Sequence, residues 1–543
     1  MRRSGVPALG GVLLISLSMS CGENASEPEG VGGGPSGAGG VSGSSGSGGE
    51  SGSAGNASGA GSGGSSGNPH HAGGTSTAGS GGAAGASGGA LAGSSGNGVG
   101  GAAGTAGAGA IAGSGATAGG GSAGANTVGC TITATASLSS AIPTVGIVEW
   151  STDLAGVDAA SIDFGPDTMY GMNAPVDLAE PNYRTLLRGM KAVSTYHFRI
   201  VASAGGSECS SEDFTLETGP LQNGLPDVDL VTNNAAGLAG GFLITGQYAL
   251  GGGAPAYILD ADGDIVWWFN LDRDVTSARM SYDGKYMWIS SANVPEGQAN
   301  VHRVSMDGLV DEDLSAEFSG QNHQLTVLPD DVVAFYTWAD NGCADIKLWH
   351  PDGMTETLVN SRDAHGAQGD CWVNMLEYSS DDDTLIFSDR NHNNLTKITL
   401  DGEVVWVLGG TTSDFTGAGA SFLGQHGIDA LSPDRLLLFN NNVAPMGGGG
   451  GGGGSIAMEI LLNSGAMSAA VAWSYSAMPS ITNQVMGDVQ RLPNGNTLVA
   501  YSTRGVLHEV SAAGELLQEV VWPIGGAFGY IQKRPTLYGT PPR

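Results

Sequence analysis

Residues 370–410 read DCWVNMLEYSSDDDTLIFSDRNHNNLTKITLDGEVVWVLGG, and residues 422–442 read FLGQHGIDALSPDRLLLFNNN. Short apolar runs rich in Val, Ile, Leu, Phe and Trp alternate with turn residues: the acidic run at 381–383, Asp401-Gly402 and Ser432-Pro433-Asp434. Runs bounded in this way read as short antiparallel strands. The polar residues Asn374, Arg390 and His426 stand at the ends of these strands.

The stretch is part of a repeat. Turns recur at Asp262-Gly263, Asp307-Gly308, Asp352-Gly353, Asp401-Gly402, Ser464-Gly465 and Ala513-Gly514, with the glycines 45, 45, 49, 63 and 49 residues apart. A second turn precedes most units, as in SYDGKYMWIS, VLPDDVVAFYT, YSSDDDTLIFS, LSPDRLLLF and RLPNGNTLVAYS. Four strands per unit of about 45–50 residues describe a propeller blade. The six turns predict an all-β chain with a six-bladed β-propeller over residues 220–543. The long spacing holds eight glycines, Gly447 to Gly454, which cannot be strand and read as a loop. Strands just after residue 225 and near 529–537 are expected to share a blade, since an open ring would expose strand edges. The first strand of each blade lines a propeller's channel. Arg279, His323, Trp372, Asn374, His426 and Asp488 stand at similar offsets before or within those strands, so the repeat predicts that they ring one mouth.

Upstream, residues 130–219 change character. TITATAS, GIVEWST, ASIDFG, TYHFRIVASA and EDFTLETG are alternating runs broken by Gly, Pro and Ser, the pattern of a small β-sandwich. The stretch from Leu187 to Ile200 resembles the E–F corner of fibronectin type III modules. No catalytic constellation is visible there, which suggests a spacer or substrate-presenting module. Residues 22–129 are almost wholly Gly, Ser, Ala, Thr and Asn. Such a segment has too little apolar surface to offset its ordering entropy and reads as a disordered tether. Residues 1–21 read as an export signal: Arg2 and Arg3, a short apolar core, then Leu17-Ser18-Met19-Ser20-Cys21. That ending resembles a bacterial lipobox. The resemblance implies lipidation of Cys21 and, with Gly22 following, a lipid anchor in the outer membrane.

Nearly all of the net charge of −32 lies after residue 129, since the first 129 residues hold only Glu23, Glu27, Glu29 and Glu50 against Arg2 and Arg3. So acidic a body repels phosphate backbones, which argues against nucleic-acid binding. Apart from Cys21, the cysteines are Cys130 and Cys209, which bracket the sandwich, and Cys343 and Cys371, which lie in adjacent blades. Two disulfides fit an oxidising compartment. No Cys/His spacing suggests zinc, and no metal or other cofactor is expected. The run Asp260-x-Asp262-x-Asp264 invites a calcium reading, but it sits on a turn that recurs without the extra acids.

The region from about 225 to 540 resembles the bacterial PAPS-independent aryl-sulfate sulfotransferases. The resemblance rests on Asn322-His323-Gln324 followed by LPDD, on Asn374 followed by DDDTLIFSDR, and on Gly402-Glu403-Val404-Val405-Trp406-Val407-Leu408-Gly409-Gly410. Gln425-His426 followed by LLLFNNN and Gln490-Arg491-Leu492-Pro493-Asn494-Gly495 complete it. It implies an enzyme that moves a sulfuryl group from a phenolic sulfate ester to a phenolic acceptor through a sulfo-histidine. His426 would be the nucleophile, Arg390 the cation on the sulfuryl oxygens, Asn374 a further hydrogen-bond donor, and His323 the group that eases the leaving oxygen or moves a proton. Arg279, Trp372 and Asp488 are assigned to substrate binding. The chain departs from the family at two places: Trp372 stands where a second imidazole is usual, and Ile456 where an Arg is usual. The departures leave a second reading, a surface-tethered binding or adhesion propeller that keeps the fold without the catalysis.

Overall fold

The computed structural model describes residues 126–127, 129–248, 253–291, 298–444, 453–523 and 526–541. The expected export signal, Cys21, almost all of the expected tether and most of the glycine run lie outside them. No helix among the described residues is long and apolar enough to cross a membrane.

The described chain is all-β. After residue 220 its strands form six antiparallel sheets of four or five strands each. The sheet of the opening stretch is typical: Val373–Ser379, Thr384–Asp389, Asn394–Thr399 and Val404–Gly409, paired in sequence order. Each Gly turn named above joins the third strand of its sheet to the fourth, and each second turn joins the first strand to the second. Gly263, Gly308, Gly353, Gly402 and Gly514 have φ between 70° and 84°, a left-handed conformation that Gly adopts without strain. The middle strands are buried on both faces because neighbouring sheets cover them; every residue of Thr384–Asp389 is buried.

The first and last sheets draw on both ends of this region. Gln532–Arg534 pairs with Phe242–Tyr248 and forms the inner edge of the first sheet. Asp229–Thr232 pairs with Leu516–Val521 and forms the outer edge of the last. First strands of successive sheets are stapled by side chains that accept a backbone N–H from the next sheet. Leu376 N–H donates to Gln324 Oε1 (2.8 Å), Arg491 N–H to Asp429 Oδ2 (2.6 Å), Lys533 N–H to Gln490 Oε1 (2.6 Å) and Met280 N–H to Gln532 Oε1 (3.0 Å).

Residues 130–219 form two sheets around a common core. Ile132–Leu138, Gly146–Thr152 and Thr185–Leu187 make one; Ala159–Gly165, Met172–Pro175, Thr195–Ala204, Ser207–Ser210 and Phe214–Glu217 make most of the other. Val148, Trp150, Ile162, Phe164, Tyr196 and Phe198 fill the space between them. Cys130–Cys209 and Cys343–Cys371 are both bonded.

The sandwich packs against the sheets that follow it. Ile142 and Val145 enter the same core as Trp267 and Met306. Thr144 Oγ1 donates to Val266 O (2.7 Å), and the Arg188 guanidinium lies 4.3 Å above the Tyr538 ring. Lys285 pairs with Asp177 (2.9 Å), and Lys191 Nζ lies 3.3, 2.6 and 2.6 Å from Asp260, Asp262 and Asp264. The acidic triplet thus closes on an ammonium group, which stands where calcium was considered. These contacts use the turns between first and second strands and between third and fourth. Because strand direction alternates, the starts of the first strands lie at the other end of the sheets.

Candidate active site

That other end carries the imidazoles. His323 precedes Thr326–Val327, Trp372 precedes Val373–Ser379, and His426 precedes Ile428–Ser432, each at the entrance to the first strand of its sheet. Arg390 follows the second strand Thr384–Asp389, and its N–H donates to Trp372 O (2.9 Å). The alternation that puts strand starts and second-strand ends together therefore gathers these four.

The network around His426 fixes its tautomer. Asn441 Nδ2 donates to Asn483 O (2.9 Å) and Met486 O (2.8 Å), so its Oδ1 is the atom turned to the ring. His426 Nδ1 faces that oxygen at 2.8 Å and Gly424 O at 3.2 Å. Both are acceptors, so Nδ1 carries the proton and Nε2 keeps the lone pair. Burial, reinforced by the Arg390 and His323 charges, pushes the imidazole down to about 3. Burial likewise lowers His323 to about 4. Both rings are neutral at physiological pH, and the His426 Nε2 lone pair is exposed without the help of a base.

Asn374 supports this ring from behind. Its Nδ2 donates to Gln425 O (2.7 Å), while Gln425 Nε2 donates to Ser388 Oγ, Asp389 O and Asn394 O at 3.0–3.1 Å. One N–H of the carboxamide expected to donate to a sulfuryl oxygen is thus bonded to the backbone that carries His426. Asn374 Oδ1 has no partner within the protein, but an acceptor gives an anion no help.

Trp372 forms an aromatic wall. Its ring lies edge-on to His323 at 5.9 Å and tilted against Trp338 at 5.3 Å. Such a wall suits a phenyl ring, where the family's imidazole would suit a charge.

Arg279 and Asp488 form an ion-paired layer, with Asp488 adjoining Gly427 next to His426. Arg279 is the third residue of Ser277–Met280, deeper along its strand than the imidazoles. Its guanidinium lies 3.7 Å from Asp488 and donates to Ile531 O (2.9 Å). Asp488 accepts from Val489 N–H and Ile531 N–H, both at 2.9 Å. Glu377 and Asp429, on the first strands of adjacent sheets, share this layer. Burial raises Asp429 and Asp488 to about 6, and burial together with Asp429 raises Glu377. Tyr530 joins the layers, its Oη donating to Asn374 O (2.6 Å). A ring drawn from sequence offsets cannot resolve depth along a strand, and for Arg279 the offset is two or three residues.

Sequence reasoning passed over Asn441, Asp389 and Tyr530. Asn441 lay within the quoted FNNN run, and Asp389 adjoins Arg390; Tyr530 carried no motif. Ser455, which precedes Ile456 where the family has Arg, donates its Oγ to Asn441 O (3.1 Å) and so supports the same asparagine. Two hollows elsewhere, one between the sandwich and the first sheet and one beside Leu230 and Glu509, are lined without His426 or Arg390.

Residues 346–522, about a third of the chain, match the family model described as arylsulfotransferase (ASST). The match includes Trp372, Asn374, Arg390 and His426 and leaves out His323. No curated protein matches the chain. Similar solved structures include TolB from Acinetobacter baumannii, 13% identical, with a TM-score of 0.38 over 64% of this chain and 80% of that one. A gluconolactonase from Xanthomonas campestris is 15% identical, with a TM-score of 0.35 over 57% of this chain and 90% of that one. A streptogramin B lyase is 13% identical, with a TM-score of 0.34 over 54% and 87%. Scores this low carry nothing further about this chain.

Proposed function

We propose that the protein is an arylsulfotransferase-like enzyme that passes a sulfuryl group from a phenolic sulfate to a phenolic acceptor through His426. The observation that carries this reading is the His426 ring, neutral, with Nδ1–H held by Asn441 and Nε2 left as the lone pair, within reach of the Arg390 charge. Nε2 attacks sulfur, the S–O bond to the aryl group breaks, and the phenolate leaves with the electron pair. An acceptor phenol then attacks the same sulfur, the N–S bond breaks, and the lone pair returns to Nε2. The acceptor's proton passes to His323 or to water. Arg390 balances charge on the sulfuryl oxygens as the bonds exchange. Phenolate is a good leaving group, so the reaction needs no nucleotide.

Around this site we read the six sheets as blades of a closed propeller, supported by the two end-to-end strand pairings. Residues 130–219 read as a fibronectin III-like module; Lys191 N–H donating to Tyr196 Oη (2.9 Å) supports the corner. Two disulfides support export, and the lipobox-like start supports a lipid anchor.

The test is 4-nitrophenyl sulfate with phenol as acceptor. Phenol-dependent release of nitrophenol, lost in His426→Ala and retained in Cys130→Ala, is expected. No turnover over a range of aryl sulfates would leave the second reading, a binding propeller whose aromatic wall at Trp372 holds a phenyl ring without transferring anything.

A further inference from the structure

Beside the site, Asp389 receives five hydrogen bonds. Oδ1 accepts the N–H groups of Trp372 (2.9 Å), Asn391 (3.0 Å) and His392 (3.3 Å). Oδ2 faces His365 Nε2 (3.1 Å) and His392 Nδ1 (2.9 Å). The carboxylate is fully buried. It holds the backbone on both sides of the Arg390–Trp372 contact: Arg390 is its chain neighbour, and Trp372 N–H is its ligand.

The four side chains His365, Cys371, Asp389 and His392 bring potential metal-ligand atoms within 4.8 Å of one another. Their hydrogen bonds argue for another role. Cys371 is bonded to Cys343. His365 Nδ1 accepts Ala367 N–H (3.0 Å), so the proton of that ring sits on Nε2, the nitrogen a metal would need. His392 faces acceptors on both sides, Asp389 at Nδ1 and Gln368 O at Nε2 (3.2 Å). Both acceptors are served at once only when the ring carries two protons, so these contacts favour the imidazolium form of His392.

We propose that His365, Asp389 and His392 form a proton-dependent clamp that positions Arg390 and Trp372 at the mouth of the site, with His392 as the titrating member. Several groups face His392: Asp389 from its own turn, and Arg362 and His365 from the helix Ser361–His365, the His365 ring at 4.8 Å. Hydrogen bonding to Asp389 raises the His392 pKa, against burial and the Arg362 charge. Burial alone would raise Asp389, but its hydrogen bonds from His365, His392 and Trp372 N–H overcome that and hold it well below the usual carboxylate range. The sign follows. His392 holds its proton below its raised pKa and loses it as pH rises through that value. A neutral ring keeps only one of its two hydrogen bonds, so either Asp389 or Gln368 O loses its donor and the clamp is held from one side fewer. The clamp therefore holds below the raised His392 pKa and loosens as pH rises through it.

The test uses the full chain and has two arms. Hydrogen exchange, corrected for its intrinsic pH dependence, is read on peptides spanning 371–374 and 388–394. Protection about ten-fold higher at pH 6 than at pH 9 is expected in the wild type, and no such difference in His392→Gln or Asp389→Asn. Equal protection at both pH values in the wild type overturns the proposal, as does stoichiometric Zn²⁺ binding by the reduced chain that raises protection of the same peptides. The second arm rests on the sulfuryl-transfer reading. The kcat/KM profile with 4-nitrophenyl sulfate and phenol should fall at the pH where protection falls. His392→Gln should be about 10- to 100-fold slower at pH 6 and lack that alkaline limb. A limb unchanged in His392→Gln overturns the positioning role. If the wild type transfers nothing, the function proposed above fails, and the exchange arm still decides the clamp.

Discussion

Two neutral imidazoles, His426 buried and His323 half-buried, make acid stability the most direct probe of the site. His426 titrates at about 3 and His323 at about 4 when folded, against about 6.5 in the unfolded chain. Between those values and 6.5 the unfolded state binds protons that the folded state refuses, so stability falls as pH falls through that window. At pH 5 the deficit is about 2 kcal/mol for either ring by linkage. Above pH 7 neither ring contributes. Replacing His426 by Gln, which keeps a polar side chain but cannot titrate, removes its deficit. Thermal unfolding of wild type and His426→Gln is measured at pH 7.5 and pH 5. Carboxylates and the other histidines are common to both chains, so their contributions cancel in the difference. For a body of this size about 2 kcal/mol corresponds to roughly 2–3 °C, so the acid-induced drop in Tm should be smaller by that much in the variant. A variant that loses as much Tm as the wild type would show that His426 titrates normally. The neutral-nucleophile argument would then fall.

Three further outcomes are expected. Trp372→His restores the imidazole the family carries and should raise kcat/KM for 4-nitrophenyl sulfate by at least about ten-fold; a fall in phenyl-sulfate affinity with no gain in rate would show that the wall only binds. Replacing both Cys343 and Cys371 by Ser opens a cross-link across 28 residues and should cost about 3–4 kcal/mol of stability in denaturant titration, with unchanged stability counting against a closed bridge. Lys191→Met leaves Asp260, Asp262 and Asp264 facing one another, so millimolar Ca²⁺ should raise the variant's Tm and leave the wild type's unmoved; a variant indifferent to Ca²⁺ would show that the acids spread apart into solvent.

The parts of the fold legible in the sequence were those governed by local chemistry. The Asp-Gly turns are read one residue pair at a time, and each falls between the third and fourth strands of a sheet. The pairing of Cys130 with Cys209 followed from their bracketing a domain. His323, Trp372 and His426 were legible as a group because all three precede first strands. What could not be read depends on register and on long-range packing. Arg279 looked equivalent to the imidazoles until the strands fixed its depth. Asn374 looked like a ligand donor because nothing local shows that its amide is bonded to Gln425, 51 residues on. Nothing local to Lys191 points to its three carboxylates, which lie some seventy residues away in another sheet. Asp389 is a single acid in a chain full of them, and only the geometry shows that it is saturated with donors.

The exchange of strands between the two ends has a consequence for the order of assembly. The first sheet lacks its inner edge until Gln532–Arg534 arrives, and Tyr530 and Tyr538, which tie the site's layers and the sandwich, arrive with it. A chain that emerges from its N-terminus can form the middle sheets early but must hold an unpaired edge for some three hundred residues. The last dozen described residues act as a completion check: a product truncated ahead of them keeps its His426 neighbourhood and still presents an open edge, the feature by which quality-control proteases and neighbouring chains recognise an unfinished β-protein.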